Sequence, residues 1–287
     1  MGYLYMMLSA FFFCTMTVFV KLAGNEIGTM QIVLMRGIFT LIVTYFLIWK
    51  NNVHPFGNNK KILIFRGMVG TIALFLVFES IQRFSIPEAT VIQYLYPIFT
   101  AILASFIISE YVGKVLYLSI IFGLFGVYII LDLPFQKEIP NVNFVDVAIA
   151  IAGSFLTAVS YVSVRRASKL GESPYVIMFY FPLFTVPFAL VFMPGNWINP
   201  SPQEWFFLFL VGINSQLGQL FLTFGYRLLP ASRAAIASYM QVPFSMLAGA
   251  LIFSDSLTIN FVIGSLMILV TIILTLKNDM GKFSKNS

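Results

Sequence analysis

The sequence has little charge and few of the residues from which metal and catalytic centres are built. Only 10% of its 287 residues are charged, against about 25% in soluble domains. The single cysteine excludes an intrachain disulfide bond. The single histidine, His54 in a predicted loop, argues against a Ser–His–Asp set, a zinc site and haem binding. P-loop and GxGxxG motifs are also missing, which argues against a nucleotide-driven activity within this chain. We therefore expect that the protein binds neither a metal nor a cofactor and that it is not an enzyme.

Hydrophobic residues make up 59% of the chain and form ten segments. Each segment has about 20 residues, which is the length an α-helix needs to cross the hydrocarbon of a bilayer. Strands of a membrane barrel would alternate apolar and polar residues, and residues 98–108 show no such alternation. The sequence predicts an all-α membrane protein whose ten spans lie at 3–21, 30–49, 62–82, 87–108, 114–132, 143–164, 174–193, 204–226, 231–253 and 258–276.

Lysine and arginine residues are unevenly distributed between the two sides of the predicted bundle. With the N-terminus in the cytoplasm, 13 of the 17 lie at cytoplasmic ends of spans, 3 lie outside, and Arg36 lies within a span. Positive charge accumulates on the cytoplasmic side of membrane proteins, so we expect both termini there, in a bacterial inner membrane. The same distribution accounts for the net charge of +6 without a nucleic-acid partner.

The two halves of the sequence align when one is shifted by 145 residues. The spans then coincide without a gap, Tyr94 aligns with Tyr239, and an acidic residue ends the fourth span of each half. We interpret this as a duplication into five-helix repeats, residues 1–140 and 141–287; the alternative is that evenly spaced helices align by chance. Five spans are an odd number, so the second repeat is inverted in the membrane. Inverted repeats around a central site favour alternating access.

Arg36 in span 2 and Glu79 in span 3 are the clearest ionisable residues within predicted spans. A charge inside the bilayer costs about 2.5–3.5 kcal/mol on insertion scales, so each needs a reason. One hypothesis is that Arg36 binds an anionic substrate group, with Glu79 as its competing partner or as a proton carrier. The alternative is a structural Arg36–Glu79 ion pair, or an arginine that extends to the interface. Coupling to protons and coupling to exchange both stay open.

Amides, tyrosines and prolines in spans 4, 8 and 9 are predicted to line a polar cavity. Pro97 and Pro243 are expected to kink spans 4 and 9, because each removes a backbone hydrogen bond. Packing and interhelical hydrogen bonding are the alternative. Spans 5 and 10 are almost free of polar residues, so we expect them to face lipid or a second copy of the chain, as in a homodimer. The remaining candidate substrate-binding residues are Gln93, Tyr94, Tyr96, Asn214, Gln216, Gln219, Tyr239 and Gln241.

The stretch 87–110, with its second copy at 230–255, resembles the EamA-type branch of the drug/metabolite transporter superfamily. The resemblance extends over essentially the whole chain, and residues 31–39 followed by Arg66 look like its organic-anion-related branch. The second copy departs from the pattern, with Val242 aligned to Pro97 and Asp255 in place of the usual glutamate.

This resemblance implies a carrier of small organic metabolites, but the fold alone does not choose the substrate. Arg36 together with aromatic and amide side chains suits a zwitterion or an organic anion, such as an amino acid, a carboxylate or an S-adenosylmethionine-like compound. Two alternatives stay open. A lipid-active membrane enzyme would need an acid, base or metal cluster at one interface. A non-transporting scaffold or sensor would have a bundle filled by side chains.

Overall fold

The computed structural model describes residues 1–23, 27–84, 86–131, 143–193, 195, 197–254 and 257–283. It is 85% helical, and no strand occurs in these ranges. This is expected of a chain in lipid, because a helix satisfies its backbone polar groups internally. The helices are α1 (Gly2–Leu22), α2 (Thr29–Lys50), α3 (Lys60–Arg83), α4 (Ile86–Gln93), α5 (Tyr96–Ile108), α6 (Lys114–Ile130), α7 (Phe144–Lys169), α8 (Pro174–Phe192), α9 (Pro202–Leu228), α10 (Ala231–Ala237), α11 (Gln241–Phe253) and α12 (Ile259–Phe283).

The ten predicted spans are confirmed. Within the described ranges, nine helical segments are long and apolar enough to cross a membrane, and α6 is a shorter apolar helix. Large apolar side chains cover the outside of the bundle; Phe106 is 82% exposed and Leu251 is 84% exposed. Apolar surface of this extent needs a partner, and in an integral membrane protein that partner is lipid.

Spans 4 and 9 are each interrupted shortly before their proline. Span 4 divides into α4 and α5 at a turn before Pro97, and span 9 divides into α10 and α11 around a 3-10 turn, Ser238–Met240, before Pro243. The second part of each span ends in the same way, with Ser109 (φ 52°) and Ser254 (φ 58°) in the left-handed conformation. The left-handed serines are 145 residues apart and the prolines 146, so the two halves share backbone detail as well as hydrophobic pattern.

Most of the helix packing joins one half of the chain to the other. Helix α1 packs on α9 and α3 packs on α7, while α2 packs on α8 and α6 on α12. Under the 145-residue shift, α1 corresponds to α7 and α3 to α9, so the first two contacts are equivalent to each other. Helix α2 corresponds to α8 and α6 to α12, so each of the last two contacts is equivalent to itself. This is the pattern that a two-fold relation between inverted repeats produces.

Spans 5 and 10 pack against each other at one edge of the bundle. Gly126 of α6 meets Gly264 of α12 so closely that a Cβ on Gly126 would lie 2.8 Å from the Gly264 carbonyl oxygen. Gly123 leaves room in the same way for the ring of Tyr239. The outer faces of both helices stay exposed, so a homodimer through these spans stays a prediction.

A polar central cavity between the two halves

Helices α2, α8 and α9 enclose a narrow cavity at mid-membrane depth. The space between its wall atoms is about 320 Å³ when the part open to the surroundings is included. One helix comes from the first half of the chain and two come from the second, so the cavity lies between the halves. The lining residues are Arg36, Gly37, Thr40, Thr44, Met178, Phe181, Pro182, Thr185, Ser215, Gln216 and Gln219.

Arg36 contributes the positive charge of the cavity. Its side chain is half-buried, and its Nη1 donates to the sulfur of Met16 at 3.7 Å. A thioether is a weak acceptor, so this contact leaves most of the donor capacity of the guanidinium unused. None of the ion pairs among the described residues includes Arg36. The charge is therefore available to an anion in the cavity.

Two glutamines of α9 lie one turn apart on the cavity wall. Gln216 exchanges hydrogen bonds with Thr44 of α2, its Nε2 donating at 3.0 Å and its Oε1 accepting at 3.2 Å. The Oε1 of Gln219 is buried without a hydrogen-bond partner among the residues described. An unpaired buried acceptor costs about 1–3 kcal/mol, which a bound hydrogen-bond donor would recover. Gln219 is therefore the residue of the cavity wall best placed to accept a hydrogen bond from a substrate.

A proline within α8 adds a backbone acceptor. Pro182 has no N–H, so the carbonyl of Met178, four residues earlier, loses its helical hydrogen bond. Both residues line the cavity. The sequence interpretation did not single out Pro182, Thr40 or Thr44. A proline within a hydrophobic span is visible in the sequence, and this signal was sufficient to identify Pro182.

The candidate tyrosines lie outside this cavity, in the apolar core between the halves. The rings of Tyr94 and Tyr239 contact each other at a tilt of 32°, with their centroids 5.7 Å apart. The Tyr239 hydroxyl donates to the carbonyls of Tyr94 and Ile120, and its side chain is fully buried. Tyr96 is hydrogen-bonded to Ser238. These tyrosines join the broken segments of spans 4 and 9, and their role in binding substrate stays a prediction.

The other amide candidates make hydrogen bonds between helices. Gln93 Nε2 donates to the Thr157 hydroxyl at 3.1 Å, and the side-chain Oδ1 of Asn214 accepts from the Thr15 hydroxyl at 2.6 Å. Gln241 is half-buried at the start of α11. The structure thus brings Arg36, Gln216 and Gln219 together and places the remaining candidates around them.

Glu79 does not form the ion pair with Arg36 that the sequence left open. Its carboxylate accepts from Arg83, one turn later on α3, at 3.3 Å. Arg83 in turn pairs with Asp146 at the start of α7, at 2.6 Å. Glu79 thus belongs to a partly exposed charge cluster between α3 and α7, and not to the cavity.

We expect Glu79→Gln to leave the pH dependence of any transport activity unchanged. The Arg83–Asp146 pair remains in this variant, and a partly exposed pair contributes only about 0–1 kcal/mol. Transport rates measured in proteoliposomes between pH 5 and 8 check this. Wild type and Asp146→Asn are measured alongside for comparison. A profile flattened in Glu79→Gln but not in Asp146→Asn would show that Glu79 carries the coupled proton.

Ten apolar helices around a polar cavity define an integral membrane protein of the kind that moves solutes. The chain belongs to the EamA-like transporter family, whose model matches residues 1–132 and 146–277. It is 25% identical to the Pseudopaline exporter CntI of Pseudomonas aeruginosa over 98% of this chain and 97% of that protein. It is also 27% identical to human Solute carrier family 35 member G1, over 89% of this chain and 73% of that protein.

The fold is shared with a protein of known crystal structure. The two superimpose with a TM-score of 0.82 over 96% of each chain, at 15% sequence identity. The predicted family and the predicted fold class are both confirmed by these comparisons.

Proposed function

We propose that the protein is a secondary carrier that moves a small organic anion or zwitterion across a bacterial inner membrane by alternating access. The observation that carries this proposal is the Arg36 guanidinium, which lines a polar cavity and has no carboxylate partner among the described residues. A charge held in a bilayer without a partner implies a function, because packing alone would favour an apolar side chain.

The neighbours of Arg36 support a substrate with both charge and hydrogen-bonding groups. Gln219 supplies an unpaired acceptor, and the Met178 carbonyl supplies a second. An amino or hydroxyl group can donate to these acceptors while a carboxylate pairs with Arg36. Arginine suits carboxylates because its planar donors can bind both oxygens at once.

The position of the cavity supports alternating access. Substrate would sit between residues 1–140 and 141–287, which we propose to be the two moving units. A two-fold related pair of repeats has equivalent ways of opening toward either side. Both termini would lie in the cytoplasm, where the basic ends of the spans accumulate. The driving force is a proton gradient or exchange of one solute for another.

A ligand screen followed by counterflow tests the proposal. Purified protein is heated with amino acids, carboxylates and S-adenosylmethionine, and with organic amines of matched size as the control panel. We expect at least one anion or zwitterion, and no simple amine, to raise the apparent melting temperature, because ligands bound only by the native state stabilise it. The labelled compound should then accumulate in proteoliposomes preloaded with its unlabelled form.

The alternatives give other results. Binding without counterflow favours a scaffold or sensor. Stabilisation by amines alone contradicts the anion site. Turnover of lipid by the purified protein, seen by thin-layer chromatography, favours a membrane enzyme.

A further inference from the structure

A second guanidinium, that of Arg66, lies buried inside the bundle. The sequence counts Arg66 among the cytoplasmic basic residues, because it is near the start of span 3. In the structure its side chain is only 2% exposed. Its Nη1 would lie 2.5 Å from a Cβ placed on Gly70, one turn further along α3. The charged group therefore lies about 15 Å along the helix from its start at Lys60, near the middle of the membrane.

No described residue forms an ion pair that neutralises Arg66. Its Nε and Nη1 are buried without a hydrogen bond to any described residue, and none of the ion pairs in those ranges includes it. Its Cζ stacks 4.6 Å from the ring centroid of Phe181. A cation–π contact recovers only about 2 kcal/mol when desolvated, less than the cost of burying an unpaired charge.

Two contacts connect Arg66 with the central cavity. Phe181, on which Arg66 stacks, also lines the cavity. Thr71, adjacent to Gly70, shares a 3.0 Å hydrogen bond with Thr185 of the cavity wall. The two guanidiniums thus belong to α2 and α3, and α8 packs against both of these helices.

We propose that Arg66 is a second anion-binding group of the central cavity, and that the substrate is a small organic molecule with two acidic groups, one for each arginine. This rests on the proposed carrier function and on Arg36 as its first anion site. Phe181 would separate the cavity from Arg66 until the second acidic group displaces its ring. Both arginines then exchange an unpaired state for a charge-assisted one.

The two residues beside Arg66 fit this assignment. Gly70 leaves the space that Nη1 occupies, and any larger residue there would displace the guanidinium. The Ser160 hydroxyl of α7 borders the same space, since it lies 3.0 Å from that Cβ position. A hydroxyl can donate a further hydrogen bond to an anion but cannot neutralise arginine.

The experiment compares diacids with monoacids. The probes are linear dicarboxylates of three to six carbons and carboxylate–phosphate compounds, each matched to a monoacid of the same chain length. Binding is measured by calorimetry on purified wild type, Arg66→Met, Arg66→Lys and Gly70→Ala. We expect the best diacid to bind wild type about 10- to 100-fold more tightly than its monoacid, as one added charge-assisted bond implies.

Arg66→Met and Gly70→Ala should reduce the diacid to the affinity of the monoacid and leave the monoacid unaffected. Arg66→Lys should retain part of the preference. The melting temperature of unliganded Arg66→Met should not fall, because the variant removes a buried unpaired charge. A structural role for Arg66 would give the opposite result, a lower melting temperature with the diacid preference intact.

Failure of this inference can be separated from failure of the carrier proposal. If wild type binds monoacids as tightly as diacids, or if Arg66→Met weakens both equally, the second anion site is wrong and the carrier stands. If wild type binds none of the acids, the anion carrier itself is wrong, and the second site with it.

Discussion

Arg36→Ala is expected to abolish binding of the anionic substrate while the folded protein is still obtained in nearly normal amount. Among the described residues the guanidinium has one polar contact, the 3.7 Å approach to the Met16 sulfur, so its removal leaves none of their carboxylates unpaired. A bidentate pair with a carboxylate contains two charge-assisted hydrogen bonds, each contributing about 1.5–3 kcal/mol. Affinity should therefore fall by at least about 100-fold.

Two measurements on the same preparations check this. Calorimetry with the compound found by the ligand screen gives the affinity, and size-exclusion chromatography gives the folded yield. Arg36→Lys is the matched control, because it keeps the charge and loses the planar pair of donors. It should bind with intermediate affinity. An equal loss of yield and binding in Arg36→Ala would instead mean that Arg36 holds the bundle together.

Much of the fold could be predicted because lipid imposes a simple rule on each span. Length and hydrophobicity located all ten spans, and the prolines at 97 and 243 marked the interrupted ones. The 145-residue register anticipated the equivalent ends of α5 and α11. These features depend on local sequence, and so one sequence is enough to find them.

The direction in which a side chain points was much harder to predict. Tyr94 and Tyr239 are deep in their spans, which suggested a cavity, but depth along a helix does not define which neighbour a side chain meets. The two-fold relation brings these equivalent residues against each other in the core. Among the amides within spans, Gln216 and Gln219 line the cavity, whereas Gln93 and Asn214 form hydrogen bonds between helices.

Arg66 was missed for a different reason. Its position near the start of span 3 fits the rule that basic residues accumulate at cytoplasmic ends, and the rule does not consider where a long side chain ends. The useful signal was its position, four residues beyond the start of predicted span 3 at residue 62. The long side chain of an arginine at this position extends along α3 by about one turn, so its guanidinium can lie inside the bundle.

A buried charge cluster closes the end of the bundle at which the chain begins. Glu110, the acidic residue that ends span 4, accepts from Arg165 Nε at 2.7 Å and from the Ala231 backbone N–H at 2.7 Å. Lys169 lies 3.2 Å away. Arg165 also donates to the Arg227 carbonyl at 2.6 Å. One carboxylate thus joins α5 of the first half to α7, α9 and α10 of the second.

The contacts between halves at the opposite end are more exposed. Arg83 and Asp146 form a pair there with side chains 38% and 23% exposed, against 14% and 8% for Arg165 and Glu110. Gln31 adds hydrogen bonds to the backbone of Ile198. An exposed pair is worth little, whereas breaking a buried one leaves a charge without compensation. The Glu110 cluster should therefore dominate the balance between the two ways of opening.

Glu110→Ala is expected to destabilise the protein by about 3 kcal/mol, because Arg165 keeps its burial and loses its carboxylate. Lys169→Ala, the control, removes a side chain that is 40% exposed and should cost under about 1 kcal/mol.

The opening of this end of the bundle is followed at Ser232, which is 1% exposed and lies next to Ala231 in the chain. In a Cys14→Ala background, Ser232→Cys should react with a water-soluble thiol reagent several-fold faster once Glu110 is replaced. A gate that has lost its strongest contact must open more often. Unchanged reactivity together with a lowered melting temperature would therefore mean that the cluster stabilises the fold without controlling access.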